Sequence, residues 1–360
     1  MNSLQQLRES GQNIWLDFLS RALIEDGTLQ GLIRQGIGGV TSNPTIFSEA
    51  LSESDKYDPA IAEILETGLT DPVEIFYDLA LSDIAMAADL LKPRYEETDG
   101  NDGYVSFELE ASLAHDTLGS VIKAKELFDH LGRPNVMIKV PGTPEGVTAV
   151  EELTALGVNV NITLLFSVDM YEQVTNAYIG GLERRVENAE PVDGIYSVAS
   201  FFVSRVDTMV DDMLSAHSNL RGKTAVANAK LAYQRFLERF SGERWNRLAT
   251  KGARLQKPLW ASTGTKNPNY SDVKYVEELV GPDTICTMPK ETIERFSDHG
   301  KVNPKAVTEQ IDEARKVIVS LASEGVDLDE VTSKLTEGGI KSFDEDFKEL
   351  TAMIRTKTGG

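Results

Sequence analysis

Residues 133–146 read RPNVMIKVPGTPEG, an apolar run that stops abruptly at Pro141 and Gly142. Such a run bounded by turn residues reads as a buried strand. Lys139 lies inside it, where a buried strand has no ordinary use for an ammonium group. Seven similar runs flank this one: NIWLDFL (13–19), IGGVTS (37–42), YVSFELE (104–110), VNVNITLLF (158–166), YSVASFFV (196–203), KPLWAST (257–263) and TICTMP (284–289).

Longer stretches of helical periodicity separate these runs. PVEIFYDLALSDIAMAADLLKPRY (72–95) has apolar residues at helical spacing and acidic residues near its start, suited to the positive end of a helix dipole. SLAHDTLGSVIKAKELFDHLG (112–132) is amphipathic and ends in a glycine suited to stopping a helix. Alternating strands and helices imply parallel pairing. Eight such units predict a closed (β/α)₈ TIM barrel with additional helices, an open doubly wound sheet being the alternative.

No low-complexity linker, periodic repeat or shift of composition divides residues 1–360, so a single catalytic domain is expected. Its additions are an N-terminal helix before residue 13, a charged helical stretch over 225–250, and a C-terminal helical extension. The closing KSFDEDFKELTAMIRTK is amphipathic and suits a cover over one mouth of the barrel, although sequence does not fix where it docks.

Composition narrows the class. Apolar residues make up 41% and charged residues 26%, as in ordinary globular proteins. The net charge of −21 opposes binding to nucleic acid or an anionic membrane. An anionic ligand therefore needs a locally positive pocket. The single cysteine, Cys286, excludes an intramolecular disulfide or a Cys-rich zinc site and reads as an inert thiol. The start lacks a signal-peptide layout and no apolar run approaches a membrane span, so a cytoplasmic location is expected.

Strand periodicity groups the polar residues. Side chains alternate between faces, and parallel barrel strands are covered on both. Lys139 opposes Val136, Ile138 and Val140; Ser106, Glu108 and Glu110 oppose Val105, Phe107 and Leu109; Asn161 and Thr163 oppose Val160, Ile162 and Leu164; Asp17 opposes Leu16 and Phe18. The polar sets are expected to point into the barrel near its carboxyl end, where this fold keeps its chemistry. Desolvation favours the neutral form of an amine, and a neutral amine condenses with a ketone or aldehyde to give a Schiff base. The protonated imine then draws electrons from an adjacent carbon–carbon bond. A plainer alternative is an ion pair of Lys139 with Asp17 or Glu108 that only fills the barrel.

At these residues the sequence resembles the transaldolase family, in its longer bacterial type. The matching motifs are GGVTSNPTIF (38–47), SFELEASLAHDT (106–117), VMIKVPGTPEG (136–146), VNVNITLLFS (158–167), ASFFVSRVD (199–207) and ASTGTKNP (261–268). The resemblance implies that Lys139 is the Schiff-base lysine. Asp17 matches the general acid/base acting on the C4 hydroxyl, Glu108 the glutamate that works through a bound water, and Thr163 the threonine that positions this water. Asn43 and Asn161 match asparagines contacting the dihydroxyacetone portion, and Ser200 a serine contacting substrate hydroxyls. Arg205 matches the phosphate-binding arginine. Lys266 stands where shorter relatives carry a second arginine, a point charge in place of a fork.

The implied reaction transfers a dihydroxyacetone unit between sugar phosphates with the iminium as electron sink, so no metal and no cofactor are expected. His115, His130, His217 and His299 show no ligand spacing and read as surface or packing residues. The glycines of GIGGVTSNP lack the G-x-G-x-x-G spacing of a dinucleotide loop and are expected to serve tight turning beside the substrate. The resemblance points to a monomer or homodimer. Two rivals stay open: a fructose 6-phosphate aldolase-like enzyme with the same lysine chemistry, and a catalytically silent sugar-phosphate-binding barrel.

Overall fold

A computed structural model describes residues 2–358. Each predicted run overlaps one strand: β1 (Gln12–Leu16), β2 (Gly39–Thr41), β3 (Tyr104–Glu108), β4 (Val136–Pro141), β5 (Val160–Leu165), β6 (Ser197–Phe202), β7 (Gln256–Ala261) and β8 (Thr284–Met288). They pair in parallel in chain order and β8 closes on β1, with Ile14 opposite Cys286. The doubly wound alternative is thereby excluded. All six residues of β4, β5, β6 and β7 are buried, as expected for strands covered on both faces.

The strands lead quickly into helices because residues just past the strand ends serve as helix caps. Asn43 caps Pro44–Glu53 by accepting from the Ile46 N–H at 2.9 Å. Thr143 caps Pro144–Ala155 through Gly146 N–H at 2.9 Å, and Ser167 caps Val168–Glu187 through Met170 N–H at 3.1 Å. A side-chain oxygen at this position satisfies a helix N–H that would otherwise lack a partner. At β2, β4 and β5 such short capped loops bring a helix start to the rim of the barrel.

Helix boundaries depart from the sequence pattern where capping decides them. The helix expected from residue 112 begins at Thr117, because Asp116 accepts from Gly119 N–H and claims the cap; a 3₁₀ turn, Ala111–Leu113, precedes it. The stretch over 225–250 is two helices, Thr224–Arg239 and Gly242–Ala249. The first buries Ala225, Ala229, Ala232, Tyr233 and Phe236 and forms part of the barrel wall between β6 and β7.

The glycines at 38 and 39 correct another expectation. They sit at the amino end of β2, away from the cavity. A Cβ on Gly39 would lie 2.5 Å from the Trp15 indole, and one on Gly38 only 1.9 Å from the Asp102 carboxylate. Their bareness admits a buried plug: Trp15 Nε1 donates to Asp102 at 2.9 Å, and Arg94 pairs with the other carboxylate oxygen at 3.2 Å. Burial raises the pKa of Asp102, against the Trp15 hydrogen bond and the Arg94 charge.

The opposite mouth is covered by the long helix Leu328–Lys357. Gly339, Phe343 and Phe347 recur at every fourth position and so share one face. At Gly339 a Cβ would stand 2.7 Å from the Leu164 side chain, so the helix lies close on the end of β5. Phe347 meets Phe76 edge-on at 5.3 Å, Thr45 donates to Asp346, and Lys357 pairs with Asp58 at 2.6 Å. No helix among the described residues is long and apolar enough to cross a membrane.

Candidate active site

The ladder sets the arrangement of the site. Glu108 on β3 stands opposite Lys139 on β4, which stands opposite Asn161 on β5. The three predicted polar sets thus converge inside the barrel, as period two required. Lys139 is 5% exposed; its Nζ lies 2.8 Å from Glu108 Oε2 and donates to the Ser42 carbonyl at 3.0 Å. The contact with Glu108 is an ion pair without the direction of a good hydrogen bond, so the carboxylate keeps room for a further donor.

Above this pair opens a cavity of about 220 Å³ lined by Asp17, Thr41, Asn43, Lys139, Thr163, Ser200, Arg205 and Lys266 among others. Asp17 follows β1 and is held by its N–H, which donates to Met288 O at 2.9 Å. Thr41 donates to Asp17 Oδ1 at 2.7 Å, and the Thr287 hydroxyl stands 3.0 Å from Thr41. This relay fixes one carboxylate oxygen. Thr163 brings a buried hydroxyl with no hydrogen-bond partner among the described residues, a group that a water or substrate hydroxyl would satisfy.

Asn161 lies a layer deeper than the cavity lining. Its Nδ2 donates to Ser106 Oγ at 3.0 Å, and its Oδ1 accepts from Ser200 Oγ at 2.6 Å. Asn161 therefore orients Ser200, while Asn43, whose oxygen is engaged as a helix cap, has its amide N–H groups left for a ligand.

The charges differ in their surroundings. Burial raises the pKa of Glu108, and Lys139 is the main opposing influence. Such a carboxyl exchanges protons nearer neutral pH than a free one, as acid/base work requires. Burial lowers the pKa of Arg205, countered by Asp17, Glu108 and Asp346. Its guanidinium lies 5.4 Å from the centre of the Phe202 ring, and no ion pair among the described residues neutralises it. Lys266 is exposed at the rim of the same cavity. Arg205 and Lys266 thus bring two cations to one cavity of a chain of net charge −21, a local charge of the kind an anion needs.

Glu108→Gln tests the carboxyl. If the rate of imine formation is followed by borohydride trapping across pH, the wild-type profile should contain an ionisation above the ordinary carboxylate range. A step that uses the acid form weakens as pH rises through that value. In the glutamine variant this ionisation should be absent.

Several lining residues had no sequence signal. Thr287 was one polar residue in an apolar strand, Thr41 only part of a motif, and Phe343 belonged to a helix whose docking was open. Leu164 was expected to face the outer helices. It instead adopts a left-handed backbone, φ 57°, at a break in the ladder between Ile162 and Leu165, and its side chain meets Gly339. Ser262, at the cavity, is likewise left-handed with φ 54°; such strain often collects at functional sites.

The remaining candidates are plain. All four histidines are exposed. Cys286 is buried, and burial pushes its thiol up to about 12, as an inert packing residue would have it.

A family model described as "Transaldolase/Fructose-6-phosphate aldolase" matches residues 14–354. The chain is 46% identical to "Transaldolase" of Thiobacillus denitrificans, over 98% of this chain and 100% of that protein. It is 44% identical to "Transaldolase" of Saccharopolyspora erythraea and 45% identical to that of Thermobifida fusca, in each case over 98% of this chain and 97% of the relative.

Proposed function

The chain belongs to the transaldolase/fructose-6-phosphate aldolase family, and from that premise we propose that Lys139 carries out the transaldolase reaction as a Schiff-base nucleophile. The activity is transfer of a dihydroxyacetone unit from sedoheptulose 7-phosphate to glyceraldehyde 3-phosphate, giving erythrose 4-phosphate and fructose 6-phosphate, within the non-oxidative pentose phosphate pathway. The observation that carries the assignment of residues is the position of Lys139 between Glu108 and a cavity that also holds Asp17.

In this reading the ammonium of Lys139 first gives up a proton, which the adjacent Glu108 carboxylate can take, and the resulting amine attacks the ketose carbonyl. Glu108, working through a water positioned by Thr163, returns a proton to the carbinolamine oxygen so that water leaves and an iminium forms. Asp17 then removes the proton from the C4 hydroxyl. The C3–C4 electrons move into the iminium, an aldose phosphate departs, and an enamine remains on Lys139. Addition of the second aldose reverses these steps, with Asp17 returning the proton, and hydrolysis of the imine frees the lysine. Asn43 and Ser200 hold the dihydroxyacetone hydroxyls, with Asn161 behind Ser200.

Arg205 and Lys266 take the sugar phosphate, the first as a planar fork and the second as a point charge. Arg205→Ala should raise KM for a phosphorylated substrate by roughly 10- to 100-fold, since a hydrogen bond to a charged group contributes about 1.5–3 kcal/mol. Lys266→Ala should do less, because its ammonium is solvated. Steady-state kinetics with donor and acceptor varied in turn check both. The reaction belongs in the cytoplasm, where these sugars are metabolised.

The direct test is borohydride reduction in the presence of fructose 6-phosphate, followed by peptide mass spectrometry. A dihydroxyacetone or full sugar adduct on Lys139 is the expected result. Folded protein that binds the sugar phosphate yet carries no adduct at Lys139 would sink the assignment. Coupled assays with and without an aldose acceptor separate transfer from simple aldol cleavage.

A further inference from the structure

The cavity has one wall that does not come from the barrel. Every other lining residue belongs to a barrel strand, to the loop after one or, for Arg205, to the first turn of the helix that follows β6, Ser204–Met213, whereas Phe343 is supplied by the helix Leu328–Lys357. Phe343 is 4% exposed and stands at the same cavity as Lys139, Asp17 and Arg205.

Its position is fixed from both sides. One turn earlier, Gly339 sits so close to Leu164 that no Cβ fits without a shift, and Leu164 is turned toward it by a left-handed backbone. One turn later, Phe347 is locked edge-on against Phe76. Asp346 is tied to Thr45, two residues beyond Asn43. Four-residue spacing places Phe343 between these anchors on the face toward the mouth. Phe343 adds to a cavity already lined on the barrel side by Phe202, Ala261 and Pro289 an apolar ring from the helix side, which displaces water without offering any hydrogen bond.

Water exclusion matters at one step. The enamine on Lys139 has two fates. It adds its nucleophilic carbon to an aldehyde, forming the new carbon–carbon bond, or it takes a proton on that carbon. In the second case the resulting iminium is hydrolysed, the water oxygen becomes the ketone oxygen, the amine is released, and free dihydroxyacetone leaves.

We infer that Phe343 determines this partition: it roofs the enamine against water and proton donors, so that the intermediate waits for an aldose acceptor. Phe343 is thus a specificity-determining residue for transfer over release. The inference rests on the Schiff-base reading of Lys139.

The test uses the full-length enzyme with fructose 6-phosphate as donor. Release of free dihydroxyacetone without acceptor is measured beside transfer to erythrose 4-phosphate, and the Lys139 adduct is trapped with borohydride in parallel. Phe343→Ala should raise the ratio of release to transfer about tenfold or more while the adduct still forms. Phe343→Leu, which keeps apolar bulk and guards against misfolding of the alanine variant, should give an intermediate rise. Release and transfer falling together at constant ratio in the folded variants would overturn the proposal and leave Phe343 a packing residue. Absence of an adduct in the wild type would overturn the lysine reading, and the inference with it.

Discussion

Lys139→Ala is expected to lower kcat by about 10⁴- to 10⁶-fold, the scale on which loss of a covalent nucleophile is felt. No neighbour can substitute. The other cavity lysine, Lys266, lies exposed at the rim, and Lys257 belongs to β7 near its amino end. The loss should show as an absent borohydride adduct, not as weaker binding, because Arg205 and Lys266 are untouched. A buried ion pair cut on one side costs about 3–5 kcal/mol when the remaining charge stays. Here Glu108 is already biased toward its neutral form by burial, so protonation relieves much of that cost. Thermal unfolding should therefore shift modestly while activity collapses. Lys139→Met, which retains the length of the side chain, separates lost packing from lost chemistry.

Asp17→Asn should reduce turnover by about 10²- to 10⁴-fold, the range for removing a general acid/base. Its distinguishing mark is where the reaction stops. An asparagine oxygen still accepts from Thr41, and the backbone N–H still reaches Met288 O, so the rim keeps its shape. Lys139 and Glu108 remain, and the imine still forms. The C4 proton then has no acceptor and the carbon–carbon bond persists. Mass spectrometry after reduction should find the six-carbon sugar on Lys139 in the variant, where the wild type gives a mixture containing the three-carbon fragment. A three-carbon adduct at wild-type yield would remove Asp17 from the cleavage step.

How far the sequence went depended on whether a rule repeats. Period two placed Lys139, Glu108 and Asn161 on the inward side because their strands are regular up to that level. The same rule failed at Leu164, where one left-handed residue breaks the ladder, and no residue preference announces such a break at a leucine. Barrel closure was legible from eight alternating units, but not the cover on its mouth. The face of the C-terminal helix shows in its spacing; its docking depends on Leu164, Phe76 and Thr45, which are far from it in sequence. The paired glycines misled because absence of a side chain has two uses. Here it makes room for Trp15 and Asp102 at the amino end.

The helix that completes the cavity is translated after all eight strands. During synthesis the barrel can close, with β8 on β1, while the nucleophile still faces an open mouth. At ~5–20 residues per second the 30 residues of the helix occupy the ribosome for a few seconds more. A nascent chain whose barrel had closed in that interval would present Lys139 without Phe343 beside it. The order of the chain would thus complete the guard proposed for Phe343 only after the strands that carry the chemistry.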